Sequence, residues 1–174
     1  MTCVTIRREP THRHFCCDSR VTYWDSIHNS THKEVMKWFC KIYDINNMYM
    51  WYAWYVSDAL LLKEYMRTHI PSGDRLDDIE RYFLEFYKIA KERNSEWKIE
   101  DSYYIVVHMW KAYHVDWYYI YEIDKYNALW TWAYAAKTAM FLWKNAKEAV
   151  EVAIEMADWC GWSVSEFIIP FANE

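Results

Sequence analysis

The sequence predicts an all-α protein, an irregular bundle of five to six helices behind a short irregular or extended N-terminal arm. Gly occurs only 2 times and Pro only 3 times in 174 residues, hydrophobic residues make up 53% of the chain, and apolar side chains recur at steps of three and four. Because tight turns use Gly and Pro, their scarcity favours long helices with short links. We expect a single domain over 1–174, with the arm at 1–30 and the helical bundle at 31–174.

The arm differs from the rest of the chain. The stretch from Cys3 to Ile6 fits a short extended piece, and Pro10 would break a helix. Thr31-His32-Lys33-Glu34 matches a capping box, in which hydroxyl and carboxylate satisfy each other's backbone amides. The first helix is therefore predicted to begin at Thr31 and to run to about Asp44.

The middle of the chain predicts two more helices. Asn46-Asn47 breaks or bends the apolar pattern, and a helix over 48–70 should stop before Pro71. A turn at Ser72-Gly73-Asp74 then leads to an amphipathic helix that begins at Leu76 and ends before the polar link at 94–96.

The last third predicts the remaining helices. A helix over 99–124 is favoured, with a strand through Tyr103 to Val107 as its rival because aromatic and β-branched residues suit a sheet. A long seam of alternating Trp and Ala predicts a helix over 127–159 that stops at Gly161. Ser163-Val164-Ser165-Glu166 matches a second capping box, which would open a short final helix.

Several function classes lack their sequence signals. The two glycines, Gly73 and Gly161, cannot form a phosphate-binding Gly-rich loop, and no G-x-S-x-G nucleophile motif occurs. The formal net charge is -5, and no continuous basic run is present. We therefore expect no nucleic-acid partner, because such binding needs clustered Lys and Arg.

No targeting or membrane segment is evident. The longest apolar run, Met48 to Val56, falls short of the roughly 18 residues that suggest a membrane span. No N-terminal segment combines a basic start, an apolar stretch and a cleavage site, so we expect a cytoplasmic location. In that compartment the five cysteines should be reduced.

Histidine and cysteine are dense near the N-terminus. His12, His14, Cys16 and Cys17 offer imidazole and thiolate, the ligands that zinc prefers, and four converging ligands would close a tetrahedral site. The spacing argues against zinc, because no C-x-x-C pair occurs and His12 and His14 alternate as on a strand. Surface histidines and buried thiols are the competing interpretation, and no cofactor is expected on balance.

His114 is a second candidate ligand. It lies between Trp110 and Trp117 in sequence, so it could ligate a haem or a metal among aromatic rings. A hydrogen-bonded histidine in the protein core is the competing interpretation.

Aromatic residues make up 20% of the chain, with 12 Trp, 16 Tyr and 7 Phe. No specific activity follows from them, and the chain reads more readily as a non-enzyme. The favoured hypothesis is a helical scaffold or interaction module that binds an unknown protein, or itself, through aromatic patches. The alternative is a bundle that binds a metal, a haem or a flat aromatic ligand. A chain designed to fold, without a biological function, is a third hypothesis.

Overall fold

The computed structural model describes residues 3–18, 20–25, 30–35, 42–53, 56–93, 103–116, 119–130, 132–156 and 163–171. These residues form eleven strands and four helices, so the all-α prediction and the helical bundle are wrong. The elements are β1 Cys3–Arg8, β2 His12–Asp18, β3 Arg20–Asp25, β4 Ser30–Val35, β5 Ile42–Ile45, β6 Met48–Ala53, α1 Val56–Thr68, α2 Leu76–Arg93, β7 Tyr103–His108, β8 Lys111–Asp116, β9 Tyr119–Glu122, β10 Tyr126–Trp130, α3 Ala133–Phe141, α4 Ala146–Glu155 and β11 Val164–Pro170.

The chain divides into two compact units, one of residues 1–41 and 125–174 and one of residues 42–124. In the first unit an antiparallel sheet has the strand order β10-β1-β2-β11, and β3 pairs with β4 in a separate hairpin. Helices α3 and α4 pack on β1, and each also contacts a neighbouring strand. The predicted N-terminal arm thus supplies the two central strands of this sheet. Only its extended start is confirmed.

Small side chains fill the space between this sheet and its helices. Cys3 and Ala128 on the strands pack against buried alanines and one methionine of α3 and α4, namely Ala136, Ala139, Met140, Ala149 and Ala153. Small side chains let helix and strand backbones approach closely. The seam predicted as one helix over 127–159 is therefore three elements, β10, α3 and α4, which share one buried face.

The second unit is a five-stranded antiparallel sheet with the order β5-β6-β7-β8-β9, together with α1 and α2. Its core is aromatic: Phe83 and Phe86 of α2 contact the ring of Tyr104 on β7 and each other. Aromatic rings in such tilted and edge-on contacts stabilise the fold beyond the effect of burying their apolar surface.

Tight turns in this fold use residues other than glycine. Asn46 and Asn47 join β5 to β6 with positive φ angles of 52° and 60°, which suits Asn in a two-residue hairpin loop. Met109 begins the loop between β7 and β8 with φ 55°, and Trp132 and Trp143 also have positive φ. The scarcity of Gly therefore does not exclude hairpins, contrary to the expectation from composition.

Several predicted helices are wrong for one physical reason. Thr31 lies within β4 rather than at a helix start, the segment over 48–70 is β6 followed by α1, and Ser163 to Glu166 leads into β11. With more than half of the residues apolar, a spacing of three and four arises without a helix, and local patterns cannot exclude strands.

Other predictions are confirmed. The helix that begins at Leu76 is α2, and its first-turn acids Asp77 and Asp78 suit the helix dipole. The strand proposed as the rival through Tyr103 to Val107 is β7, so the favoured helix over 99–124 is wrong.

Gly161, the predicted helix stop, lies outside the described residues. No helix in the described part of the chain is both long and apolar enough to cross a membrane.

Candidate functional site

The first residues of β1 are fixed by a buried carboxylate. The backbone amide of Cys3 donates a 2.8 Å hydrogen bond to Oδ1 of Asp18, the last residue of β2. Both residues are fully buried. Burial of a carboxylate is costly unless hydrogen bonds offset its desolvation, so the bond from Cys3 helps to stabilise Asp18 at this position. The residue before Cys3 is Thr2, which lies outside the described residues.

Sheet pairing explains why Asp18 reaches the start of β1. The antiparallel register places Val4 opposite Cys17, so the strand ends at Cys3 and Asp18 are adjacent. On its other side Asp18 pairs with Val164 of β11. Neither Asp18 nor Thr2 was predicted from the sequence. The alternation of His12 and His14 is typical of a strand and indicates β2, but it does not indicate a role for Asp18.

A second cluster lies on β2 and its other neighbour in the sheet, β11. Nε2 of His14 lies 3.2 Å from Sγ of Cys16 and 3.5 Å from Oε1 of Glu166. Ligand atoms of the three residues all lie within 4.8 Å of one another. Cys16 is fully buried and His14 is nearly so, whereas the Glu166 side chain is 36% exposed.

Burial dominates the electrostatics of this cluster. It raises the pKa of the Cys16 thiol, and the nearby Glu166 carboxylate adds to this effect. Burial also lowers the pKa of His14, an effect that the charge of Glu166 opposes. Burial therefore favours a protonated thiol and a neutral imidazole in this cluster at pH 7.

Of the four candidate zinc ligands, the structure brings His14 and Cys16 together. His12 lies on the same face of β2, with its ring centroid 6.2 Å from that of His14. Cys17 pairs with Val4 and follows Cys16 directly, so it lies on the opposite face of the strand. Glu166 was not among the candidate ligands, because its capping-box pattern was interpreted as a helix start.

His114, the candidate haem or metal ligand, is a buried residue of β8 in the second unit. Its ring stacks on Tyr121 of β9 at a centroid distance of 4.7 Å, and Nδ1 lies 2.9 Å from the Tyr121 hydroxyl. This is the environment of a hydrogen-bonded histidine in a sheet core. Trp117 lies outside the described residues. Ligation of haem by His114 stays a prediction.

A pocket of about 210 Å³ opens between α1 and α2 of the second unit, lined by Tyr65, His69, Phe86 and Arg93 among others. Ligand pockets commonly hold about 300–1,000 Å³. This one is a weaker candidate than the Asp18 position.

Comparison with known proteins identifies the fold. No family model matches the chain, and no curated protein matches it. Among solved structures, Thiobacillus denitrificans BPH in complex with epoxomicin superposes with a TM-score of 0.82 at 17% identity, over 98% of this chain and 100% of that one. Anbu (ancestral beta-subunit) from Yersinia bercovieri gives 0.73 at 12% identity, over 98% and 82%. Eukaryotic HslV from Trypanosoma brucei gives 0.64 at 15% identity, over 97% and 99%.

These similarities extend along nearly the whole chain and establish its fold. A helical scaffold or helical interaction module is therefore wrong as an interpretation of this protein, because the matched fold is a mixed α/β one. The alternative hypothesis was a helical bundle that binds a metal, a haem or a flat aromatic ligand. Its helical architecture is wrong for the same reason.

Proposed function

We propose that this chain is a hydrolytic subunit of a proteasome-type protease, and that it cleaves peptide bonds with the hydroxyl of Thr2 as nucleophile. The similarity of the whole fold to BPH, Anbu and HslV supports this proposal. The observation that supports Thr2 as the nucleophile is the hydrogen bond from the Cys3 amide to Asp18. This bond fixes the chain immediately after Thr2.

The chemistry requires a free amino group on Thr2. Cleavage of the Met1–Thr2 bond, whatever precedes it, would place the nucleophilic hydroxyl and an α-amine on one residue. An α-amine has a pKa of about 7.7–8.0 and serves as the general base for a threonine nucleophile. It would take the hydroxyl proton as Thr2 Oγ1 forms a bond to the substrate carbonyl carbon.

The remaining steps follow from proton balance. The amine would return the proton to the leaving nitrogen as the peptide C–N bond breaks, and an ester to Thr2 would remain. A water molecule, deprotonated by the same amine, would then hydrolyse this ester and restore the hydroxyl. Asp18 is a positioning residue in this scheme, because it binds the backbone of Cys3.

The test uses a chain whose amino terminus is Thr2, produced as a fusion that is cleaved before Thr2 and verified by intact mass. A panel of fluorogenic peptides with apolar, basic and acidic residues before the cleaved bond measures hydrolysis. We expect Thr2→Ala to abolish cleavage and Thr2→Ser to retain part of it. Asp18→Asn should lower kcat, because the neutral amide holds the first residues less firmly.

Thr68→Ala is the matched control, since Thr68 is an exposed threonine at the end of α1 in the second unit. It should leave hydrolysis unchanged. Native mass spectrometry with epoxomicin gives a second readout, in which the Thr2 chain should bind the compound and Thr2→Ala should not. Hydrolysis that survives in Thr2→Ala, or a verified Thr2 chain that cleaves no peptide of the panel, contradicts the proposal.

The same proposal implies assembly from several copies of the chain. Large apolar side chains are exposed on α3 and directly after it, and Tyr134 and Trp143 are exposed by 89% and 86%. Phe141 and Leu142 extend this patch. Exposed apolar patches of this kind mark interaction surfaces, and a second copy of the chain is the occupant that a subunit fold favours.

Sedimentation velocity tests this assembly. The wild type should sediment as an oligomer, and the double variant Tyr134→Glu, Trp143→Glu should sediment as a smaller species. Leu84→Glu is the control, because Leu84 is 54% exposed on α2 in the other unit. A monomeric wild type, or equal dissociation by the control, contradicts self-association through this patch.

A further inference from the structure

We propose that His14, Cys16 and Glu166 form a binding site for a zinc-class divalent transition-metal ion. The proposal begins from the three distances: Nε2 to Sγ is 3.2 Å, Nε2 to Oε1 is 3.5 Å, and all three ligand atoms lie within 4.8 Å of one another. Nitrogen, sulfur and oxygen donors of this kind are those that zinc takes from proteins.

Sheet geometry brings the three side chains together. His14 and Cys16 are two residues apart on β2, so their side chains lie on the same face of the sheet. Glu166 of β11 pairs directly with Cys16 in the antiparallel register. Directly opposite residues of neighbouring strands have side chains on one face, about 4.5–5.5 Å apart at Cβ. The backbone therefore holds the cluster before any ion binds.

The contacts converge on one nitrogen. Cys16 and Glu166 both approach Nε2 of His14, whereas a catalytic Cys-His-carboxylate relay uses the two different ring nitrogens. Nε2 has either one lone pair or one N–H, so it can form at most one strong hydrogen bond within this triangle. A cation at the centre would accept an electron pair from all three side chains at once.

The distances fit a tetrahedral ion. With Zn–S of about 2.3 Å and Zn–N of about 2.0–2.1 Å, a tetrahedral site has an S···N edge of about 3.6 Å and an N···O edge of about 3.4 Å. The present edges of 3.2 and 3.5 Å lie within a few tenths of an ångström of these values. The third edge, from Sγ to the Glu166 oxygen, is at most 4.8 Å and would shorten toward about 3.6 Å by rotation of the half-exposed Glu166 side chain. Calcium and magnesium are disfavoured, because they select oxygen ligands.

The charge balance and access also fit. A thiolate and a carboxylate neutralise a divalent cation. The ammonium of Lys147 lies 3.7 Å from Oε2 of Glu166, whereas His14 is near the other carboxylate oxygen, Oε1. The exposed part of Glu166 connects the cluster with solvent, which supplies a water molecule as the fourth ligand. A site with three protein ligands and one water is the arrangement of zinc sites with an open position.

Metal titration tests the proposal on the full-length chain after treatment with a chelator. Zn²⁺ competed against a chromophoric chelator should bind with one equivalent at this site. Co²⁺ should give a thiolate-to-cobalt absorption band together with the visible bands of a tetrahedral ion. Cys16→Ala should abolish the thiolate band and weaken zinc binding by more than about 100-fold, since even partners outside the ligand set are worth about 10–100-fold.

Cys17→Ala is the matched control, because Cys17 is the next residue, is equally buried, and faces the other side of β2. It should retain the band and the affinity. Glu166→Gln changes a half-exposed side chain, so it should fold and still weaken binding by more than about 10-fold. Equal binding by the Cys16 and Cys17 variants, or Co²⁺ without a thiolate band in the wild type, overturns the proposal. Because the readout is metal binding, the result does not depend on peptide hydrolysis.

Discussion

Thr5 Oγ1 donates a 2.8 Å hydrogen bond to the backbone carbonyl of Ala146, a residue 141 positions later in the chain. Both residues are fully buried. The bond joins β1, near the start of the sequence, to the first residue of α4. Nothing in either local sequence indicates this partner, yet it fixes where α4 lies on the sheet.

Thr5→Val should remove this hydrogen bond while keeping the shape of the side chain. We expect the free energy of unfolding to fall by about 1 kcal/mol, the usual net value of one such bond. Urea unfolding followed by circular dichroism measures the change. The exposed substitution Thr138→Val should change stability by less than about 0.5 kcal/mol. Equal losses in the two variants would show that the bond to Ala146 contributes nothing.

Ala149→Leu tests the close packing of α4 on the sheet. Ala149 is fully buried in the cluster that includes Cys3, Ala139 and Ala153. Because Ala149 is fully buried among these neighbours, three more carbon atoms should overpack the cluster and lower the free energy of unfolding by about 1–3 kcal/mol. Glu151→Leu, at an exposed position of the same helix, is the control. An Ala149→Leu variant as stable as the wild type would mean that this interface is loose.

Met109→Gly should stabilise the protein. Met109 is 53% exposed and has φ 55° at the first position of a two-residue hairpin loop. A left-handed backbone costs an L-residue about 1–2 kcal/mol, and Gly avoids most of it, so we expect a net gain of about 1 kcal/mol. Trp110→Gly, in the same loop, should give no gain. Thermal unfolding of the two variants decides the matter, and a lower Tm for the Met109 variant would refute this account.

His108 should make the second unit sensitive to acid. It is buried at the end of β7, and neither ring nitrogen has a hydrogen-bond partner among the described residues. Burial lowers its pKa, against an opposing effect of the Asp74 charge. With the folded pKa below the unfolded value of about 6.5, the unfolded state takes up the proton first, so stability is complete above that pH and falls as pH decreases.

His108→Leu should reduce this loss of stability between pH 7 and pH 5. It should also raise the free energy of unfolding at pH 7 by about 1 kcal/mol, because two buried polar atoms without partners are removed. Urea unfolding at a series of pH values gives both quantities. If the free energy of unfolding of the variant falls with decreasing pH as steeply as that of the wild type, His108 is not the source of the acid sensitivity. Some slope should remain in the variant, since burial lowers the pKa of His14 as well.

Local sequence determined several features of this protein. The turn at Asn46-Asn47, the helix α2 and the extended start at Cys3 follow from residues that are neighbours in the chain. Positive φ at Asn and the apolar stripe of an amphipathic helix are properties of short segments. The absence of phosphate-binding Gly-rich loops likewise follows from the positions of the two glycines alone.

Tertiary structure decided the rest. Whether Thr31, Tyr126 or Val164 joins a helix or a strand depends on a hydrogen-bond partner in another strand, which local periodicity does not contain. The same holds for the candidate sites: Asp18 meets Cys3, and Glu166 meets His14 and Cys16, only because β1, β2 and β11 pair in one register. A sheet brings together residues that are distant in sequence, and its pairing energy is gained only after the chain has folded.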